Sequence, residues 1–361
     1  MKLGKKLGLL SGLAAGVMLA ATGIAQAADP LKVGFVYVGP VGDHGWTYEH
    51  NQGRLAVEKA LGDKVKTSFV ESVPEGADAT RVITRLASTG HGLIFTTSFG
   101  YMNPTVRVAK RFPKVKFEHA TGFKRADNVA TYSARFYEGR HVIGLIAGKM
   151  TKTNVLGYVA SFPIPEVIRG INAVAIAARS VNPKVTVKVV WVSSWFDPGK
   201  EADAAKALVD QGADVMLQHT DSPAPVQAAE RRGIWAVGQA SDMKAFGPKA
   251  HLTAIIDDWA PYYVERTKAV LDGTWKSGDV WGGFKSGMVK LSSYNSAIPA
   301  DVVAMAEKAR KGIIDGSVHP FAGPIKDQSG KVILKAGEVM DDKTMLGMNF
   351  YVEGVEGKIP Q

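Results

Sequence analysis

From Leu31 to Ile256, short apolar runs alternate with segments whose apolar residues recur at helical spacing. The apolar runs predict strands at Val33–Val38, Val65–Glu71, Gly92–Thr96, Val115–His119, Val129–Ala134, Val155–Ala160, Val185–Val192, Val215–Gln218, Ile234–Val237 and Thr253–Ile256. The amphipathic segments predict helices at Thr47–Leu61, Ala77–Ser88, Asn103–Arg111, Tyr137–Met150, Pro165–Ser180, Gly199–Gln211, Pro223–Arg231 and Trp259–Leu271. Strands and helices that alternate with such short connections predict an α/β protein whose parallel sheets are covered by helices on both faces.

The strand–helix rhythm occurs twice, which predicts two Rossmann-like lobes rather than one large sheet. The first series ends at His119 and the second begins at Val155. The extended segment Thr131–Arg135 predicts one crossing between the lobes, and Thr253–Asp258 predicts another. Two lobes joined by crossing strands are expected to close on a ligand by a hinge near Arg135 and Asp257.

The expected N-terminal lobe comprises residues 28–135 and 257–283, and the expected C-terminal lobe comprises residues 136–256 and 284–361. The pattern after Gly282 is less regular. It predicts a strand at Gly287–Leu291 and a helix at Pro299–Lys311.

The first 27 residues predict a cleavable signal peptide rather than part of the fold. Lysines near the start precede the apolar, Gly/Ala-rich stretch Leu7–Ile24, and Ala25–Ala27 fits a cleavage site. A membrane anchor is the alternative, but the cleavage motif favours a mature chain that begins at Ala28. No later stretch is apolar over about 18 residues, so the mature chain is not expected to be membrane-embedded.

Composition narrows the chemistry further. The 361 residues contain no cysteine, which excludes disulfides, thiolate metal ligands and a lipid anchor on a cysteine at the cleavage site. The expected location is therefore the periplasm. The net charge of +10 is spread along the chain without a basic run of five residues, and a nucleic-acid partner is not expected.

Aromatic and acidic residues recur in the turns that follow the predicted strands. In chain order these turns contain Asp43 and Trp46; Ser98, Phe99 and Tyr101; Trp195, Phe196 and Asp197; His219 and Asp221; Gln239, Ser241 and Asp242; and Asp257, Asp258 and Trp259. The carboxyl ends of parallel strands meet at one edge of a sheet. Aromatic faces can sandwich a flat ring, and carboxylates accept hydrogen bonds from N–H groups. The turns therefore predict a cleft for a small planar ligand.

Structural roles are the alternative for these residues. Asp197 before Pro198 is interpreted as a helix N-cap. Trp46 and the pair Trp195-Phe196 are interpreted as ligand-stacking residues, because capping does not explain two bulky aromatics in one turn. Which member of the pair faces the ligand is left open.

Enzyme signatures are absent from the sequence. Gly39, Gly42 and Gly45 match neither the dinucleotide-binding fingerprint nor a phosphate-binding loop. No G-x-S-x-G elbow or metal-binding histidine pair occurs. His219 and Asp221 lie two apart in one turn, where a catalytic dyad is rare. The chain is expected to be neither an enzyme nor dependent on a cofactor or metal.

The order of these motifs resembles the basic membrane protein (BMP) family, which comprises substrate-binding proteins of ABC transporters and includes purine-nucleoside-binding members. The motifs are Val33–Val38 with Gly42-Asp43-x-x-Trp46, Tyr137-Glu138-Gly139 with Ala147-Gly148, Val192–Lys200, Val237–Asp242 and Ile255–Trp259. The resemblance implies a type I periplasmic binding protein fold, a small-molecule purine ligand and an ABC transporter permease as partner. A monomer is expected.

The resemblance also implies residue roles. Trp46 and either Trp195 or Phe196 would stack on the two faces of a purine, Asp242 would hold ribose hydroxyls, and Glu138 matches an acidic position at the start of a helix. The full expected ligand-binding set is Asp43, Trp46, Phe99, Tyr101, Tyr137, Glu138, Trp195, Phe196, Asp221, Asp242 and Asp257.

One departure from the family concerns the ligand. Nucleoside-binding members have a lysine that reaches the ribose, where this chain has Asp257-Asp258. This change favours a free nucleobase such as adenine, whose N–H groups suit carboxylates. A nucleoside hydrolase and a binding protein for another small ligand, such as a sugar, remain the alternatives.

Overall fold

The computed structural model describes Met1, residues 29–42 and residues 44–361. The predicted signal peptide and Asp43 fall on residues outside this description. The described residues form two parallel sheets flanked by helices, which confirms the predicted α/β class with two Rossmann-like lobes.

The first lobe is built on a six-stranded parallel sheet with the order β11-β5-β4-β3-β1-β2. Its strands are β1 Leu31–Val36, β2 Val65–Val70, β3 Leu93–Thr96, β4 Lys116–Ala120, β5 Val129–Ala134 and β11 Asp279–Gly282. Its helices are α1 Trp46–Leu61, α2 Ala77–Ser88, α3 Met102–Ala109 and α8 Ala260–Leu271. The strands are apolar because both faces are buried; Phe35 and Phe95 on neighbouring strands stack at 4.8 Å between ring centroids.

The second lobe is built on a seven-stranded sheet with the order β12-β10-β9-β8-β6-β7-β15, in which β12 is antiparallel to β10. Its strands are β6 Val155–Ala160, β7 Thr186–Trp191, β8 Val215–His219, β9 Trp235–Gly238, β10 His251–Asp257, β12 Val289–Leu291 and β15 Val355–Glu356. The remaining helices are α4 Phe136–Met150, α5 Pro165–Val181, α6 Pro198–Asp210, α7 Ala224–Arg232, α9 Ala300–Asp315 and α10 Asp342–Leu346. A small hairpin joins β13 Ile325–Lys326 to β14 Val332–Leu334.

The ten predicted strands and eight predicted helices of the alternating region are all present, and their ends shift by up to a few residues. The predicted cap is also confirmed, since the Asp197 carboxylate accepts a hydrogen bond from Lys200 N at 3.1 Å. Strand β11 was not predicted. It has four residues, and its first two are exposed, so it lacks a continuous apolar run.

The chain passes between the sheets at three places: after β5, after β10 and between β11 and β12. Arg135 lies at the first passage, where its backbone N–H donates to Gly282 O at 2.6 Å. Its guanidinium lies over the Trp281 ring at 4.1 Å and pairs with both oxygens of Asp342. The passages therefore lie side by side, and the carboxyl ends of the two sheets face each other.

Candidate functional site

A cavity of about 330 Å³ lies between the two lobes, at the carboxyl ends of their strands. Both lobes contribute to its lining, which consists of Val38, Trp46, Ser98, Phe99 and Thr121 from the first lobe and Glu166, Trp195, His219, Asp221 and Gln239 from the second. Ligand sites of open α/β sheets lie at this edge. The cleft predicted from the strand-end turns therefore coincides in position with a cavity of the described structure.

Trp46 is the first residue of α1 and is held rigidly at the cavity wall. Its indole N–H donates to Thr97 O at 2.7 Å, and its ring packs edge-on against His50 and Trp259 at 4.4 and 5.5 Å. Only 8% of the side chain is exposed. Trp46 is thus both a core residue of the first lobe and an aromatic surface of the cavity.

Trp195 and Phe196 follow β7 but point to different places. Trp195 lines the cavity, packs against Phe162 at 5.0 Å and donates its indole N–H to Glu75 of the first lobe at 3.2 Å. Phe196 is 37% exposed and lines a separate cavity of about 500 Å³ beside Phe246. This separate cavity also touches Trp46 and Asp221, but of the pair only Trp195 lines the cavity of about 330 Å³ between the lobes.

Asp221 brings a nearly buried carboxylate to the cavity wall after β8. Its backbone N–H donates to Trp195 O at 2.9 Å, while its carboxylate has no hydrogen-bond partner among the described residues. Burial raises the pKa of Asp221 well above its ordinary value, and the nearby carboxylates of Glu201 and Glu166 raise it further. This carboxylate would be stabilised by a ligand that donates an N–H to it.

Glu166 lies beside His219 in the same cavity, with 3.6 Å between a Glu166 carboxylate oxygen and His219 Nε2. Burial lowers the pKa of His219 despite the neighbouring carboxylate, so the imidazole is neutral at pH 7. The His219 side chain is within reach of Glu166 through Nε2, and its Nδ1 is buried without a partner among the described residues.

Asp257 ends β10, is fully buried and is not among the residues that line the cavity. Neither of its carboxylate oxygens has a hydrogen-bond partner among the described residues. Burial raises the pKa of Asp257 well above its ordinary value, Glu49 raises it further, and Arg140 opposes the shift. A buried carboxylate without a partner is costly to the fold and is typical of functional sites.

The other residues of the expected set lie away from the cavity lining, except Phe99, which is part of it. Tyr101 is in the core of the first lobe and donates to Val73 O at 2.5 Å. Tyr137 and Glu138 lie at the start of α4 in the hinge region, where Arg135 donates to the Tyr137 hydroxyl at 2.7 Å and Phe284 N donates to Glu138 at 2.7 Å. Asp242 is half exposed and accepts from Lys244 N at 3.0 Å.

Sequence reasoning did not select Glu166, Thr121 and Gln239 as ligand residues. Gln239 was noted in a strand-end turn, but its amide carries no charge and gave no reason for preference. Glu166 lies in the first turn of α5, six residues after β6 ends, and Thr121 directly follows β4. Applying the strand-end rule to every parallel strand, including β4 and β6, would have found both.

The lobes touch around the cavity. Gly45 N of the first lobe donates to Ser241 Oγ of the second at 2.7 Å in a buried contact. Gly45 has a φ of 105°, and a Cβ there would overlap the carbonyl oxygen of Asp221. Glycine is therefore required for this approach of the two lobes.

A second cavity, of about 1130 Å³, adjoins the first and shares Phe99, Thr121 and Glu166 with it. Its wall also contains Arg169 and Trp281. Within residues 29–42 and 44–361, no cluster of three histidine, aspartate or glutamate side chains is placed to hold a metal ion. No helix in this part of the chain combines the length and apolarity needed to cross a membrane.

Comparisons with known proteins agree with this architecture. A purine-binding protein of Brucella abortus (strain 2308) is 60% identical over 347 residues, which are 96% of this chain and 98% of the relative. A putative ABC transporter glucose-binding protein of Haloferax volcanii is 37% identical over 332 residues, which are 92% of this chain and 82% of the relative.

Solved structures show the same fold. A solute-binding protein of an ABC transporter system from Aeropyrum pernix K1 has a TM-score of 0.71 at 21% identity and covers 88% of this chain and 95% of its own. The sequence profile described as ABC transporter substrate-binding protein PnrA-like, named Bmp, matches residues 31–320. The chain therefore belongs to the Bmp family of PnrA-like ABC transporter substrate-binding proteins.

Proposed function

We propose that this protein binds a purine in the cavity between its two lobes, prefers a free nucleobase such as adenine over a nucleoside, and delivers it to the permease of an ABC importer. The observation that carries the proposal is the pairing of Trp46 and Trp195, one from each lobe, around a single cavity. Stacking on aromatic side chains is how proteins commonly hold a base.

The polar groups of the cavity support a ligand with several N–H donors. Asp221 and Glu166 bring two carboxylates to a space of about 330 Å³. Adenine carries a ring N–H and an amino group, which match acceptor oxygens. The 60% identity to a purine-binding protein supports the same ligand class.

The size of the cavity supports a nucleobase. The cavity between Trp46 and Trp195 is the smaller of two adjoining cavities, at about 330 against 1130 Å³, and a base is smaller than a nucleoside. A purine nucleoside is the second candidate, because the adjoining cavity of about 1130 Å³ offers room for a ribosyl substituent.

Delivery to a permease requires the protein to act outside the cytoplasmic membrane, where the substrate-binding proteins of ABC importers work. The predicted signal peptide at residues 1–27 supports export to the periplasm. Binding, rather than catalysis, is the activity of this family of transporter components.

Mass spectrometry of the ligand released by denaturing the purified protein tests the proposal. A purine base released at close to one molecule per chain is the expected result. Release of a nucleoside would favour the second candidate, whereas release of a hexose, as the name of the Haloferax relative suggests for that protein, would overturn the proposal.

A further inference from the structure

The side chains around the cavity have most of their hydrogen-bond donors committed to protein acceptors. The committed pairs are Trp46 Nε1 to Thr97 O, Trp195 Nε1 to Glu75, Ser98 Oγ to Glu75, and Thr121 Oγ1 to Ala120 O. Each of the two hydroxyl oxygens keeps lone pairs but has already used its hydrogen. None of these four side chains therefore offers a free donor, and the two hydroxyl oxygens can still accept hydrogen bonds from a ligand.

His219 is also unsuited as a donor to the cavity. Its Nε2 lies toward Glu166 at 3.6 Å, so the proton of the neutral ring is best placed on that nitrogen. The lone pair of Nδ1 then remains as an acceptor without a partner among the described residues. Together with the carboxylates of Glu166 and Asp221, His219 makes the cavity rich in acceptors.

Gln239 is the exception among the side chains of this lining that carry no carboxyl group. Its side-chain oxygen accepts a hydrogen bond from Arg140 Nη2, while its Nε2 has no hydrogen-bond partner among the described residues. The orientation of this amide is not ambiguous, because a guanidinium only donates and must face the oxygen. The side-chain N–H groups of Gln239 are therefore the part of the amide that is left for a ligand.

Arg140 is itself held firmly. Only 1% of its side chain is exposed, and its Nη1 donates to Gln218 O at 2.8 Å. The backbone carbonyl and the Gln239 oxygen fix the two ends of the guanidinium fork. A flip of the Gln239 amide would place its N–H groups against this cation and leave the buried Arg140 Nη2 donor unsatisfied, which is unfavourable.

We propose that Gln239 donates a hydrogen bond to an acceptor atom on the ligand ring, and that Arg140 is the positioning residue that fixes the polarity of this contact. The inference rests on the proposed purine ligand and identifies the residue that distinguishes one ring from another. Stacking by Trp46 and Trp195 accepts any flat ring, whereas a buried amide donor selects rings with an acceptor at one edge. Ligands that lack this acceptor leave the Gln239 N–H groups buried and unpaired.

Adenine allows a direct test, since its ring nitrogens N1, N3 and N7 can be replaced one at a time by carbon in the monodeaza analogues. Binding of adenine and of these three analogues is measured by calorimetry on ligand-stripped protein. We expect at least one analogue to bind about tenfold more weakly than adenine or worse, as follows from one unpaired buried donor. Equal affinity for all four compounds would overturn the inference.

Substitution of Gln239 assigns the discrimination to this residue. In Gln239→Leu the difference between adenine and the weak analogue should disappear, and in the isosteric Gln239→Glu adenine itself should bind more weakly, because an oxygen replaces the donor. Gln211→Leu, at an exposed position after α6, is the matched control and should behave as wild type. Discrimination that persists in both Gln239 variants would overturn the inference.

The role of Arg140 is separated from simple structural support by its effect on selectivity. Arg140→Lys keeps a donor for the Gln239 oxygen and should retain the discrimination among analogues. Arg140→Met frees the amide to turn and should reduce it, whereas a purely structural role would weaken all four ligands by the same factor. If wild-type protein fails to bind adenine at all, the proposed function is wrong, which is a different result from uniform binding of the series.

Discussion

Replacement of Trp195 gives the sharpest test of the stacking geometry, because its sequence neighbour Phe196 provides a matched control. Trp195 lines the cavity between the lobes, whereas Phe196 lies outside it and is 37% exposed. Stacking of a base on an aromatic side chain contributes about 1–3 kcal/mol. Trp195→Ala should therefore weaken adenine binding by about five- to 150-fold.

The hydrogen bond of Trp195 to Glu75 is a smaller part of this effect. It is 3.2 Å long and joins exposed groups at the rim of the cavity, so its loss should cost no more than about 1 kcal/mol. Trp195→Phe keeps an aromatic face and loses only this bond, and it should stay within about tenfold of wild type. Phe196→Ala should change affinity by less than about twofold.

The assay is calorimetric titration of ligand-stripped protein with adenine, together with thermal unfolding of each ligand-free variant. Trp195 is half-buried, so its truncation should perturb the fold less than truncation of Trp46, which packs on His50 and Trp259 and would cost about 3–5 kcal/mol. An unchanged affinity in Trp195→Ala would refute the reasoning. So would a loss in Phe196→Ala as large as that in Trp195→Ala.

Three further predictions follow from the charges and the contact between the lobes. Burial raises the pKa of Asp221, and a ligand N–H favours its ionised form, so adenine affinity should fall as the pH is lowered through that raised pKa. In calorimetry, Asp221→Asn should flatten this dependence of affinity on pH. An affinity that rises on acidification would contradict this. The folded-state pKa of Asp257 also lies above the ordinary value of about 3.9, so its ionisation destabilises the ligand-free fold as the pH rises through the raised pKa. Asp257→Asn should therefore raise the Tm at about pH 8 and change it little near about pH 4. In Gly45→Ala the added Cβ should hold the lobes apart, and small-angle scattering should then lack the compaction on adding adenine that we expect of wild type. Equal compaction in both would argue against this contact.

The fold was predictable because its hydrophobic residues recur at strand or helix spacing within short, local segments. Strand Val155–Ala160 is an apolar run between two recognisable helices, and the structure has it at the predicted bounds. Strand β11 escaped because an edge strand of four residues buries little and carries no such run. Strands β13 to β15 are two or three residues long, which is too short for a pattern to mark; β13 and β14 form a local hairpin, and β15 pairs with the distant β7.

The position of the site was predictable, but its composition was only partly so. Parallel strands place their carboxyl ends together, and this rule brought Trp46, Phe99, Trp195 and Asp221 to one cavity. The rule does not say which side chain of a turn points inward, so Tyr101 from the same turn as Phe99 lies in the core.

Residues near the passages between lobes were harder to place. Tyr137 and Glu138 lie where three segments run side by side, and their partners, Arg135 and Phe284 N, depend on a third passage that the sequence did not reveal. The free N–H groups of Gln239 could not be predicted from the sequence either. They are free because the amide oxygen faces Arg140, which lies 99 residues away along the chain.

The central claim is that a purine base occupies the cavity between the lobes, and titration of the ligand-stripped protein with adenine, adenosine and glucose in parallel tests it most directly. Adenine should bind at one site per chain, more tightly than adenosine, and should raise the Tm by mass action, with about 4 kcal/mol of added stability at a thousandfold excess over the dissociation constant. Glucose should produce neither heat nor a shift in Tm. Binding of glucose with no response to either purine would contradict the account.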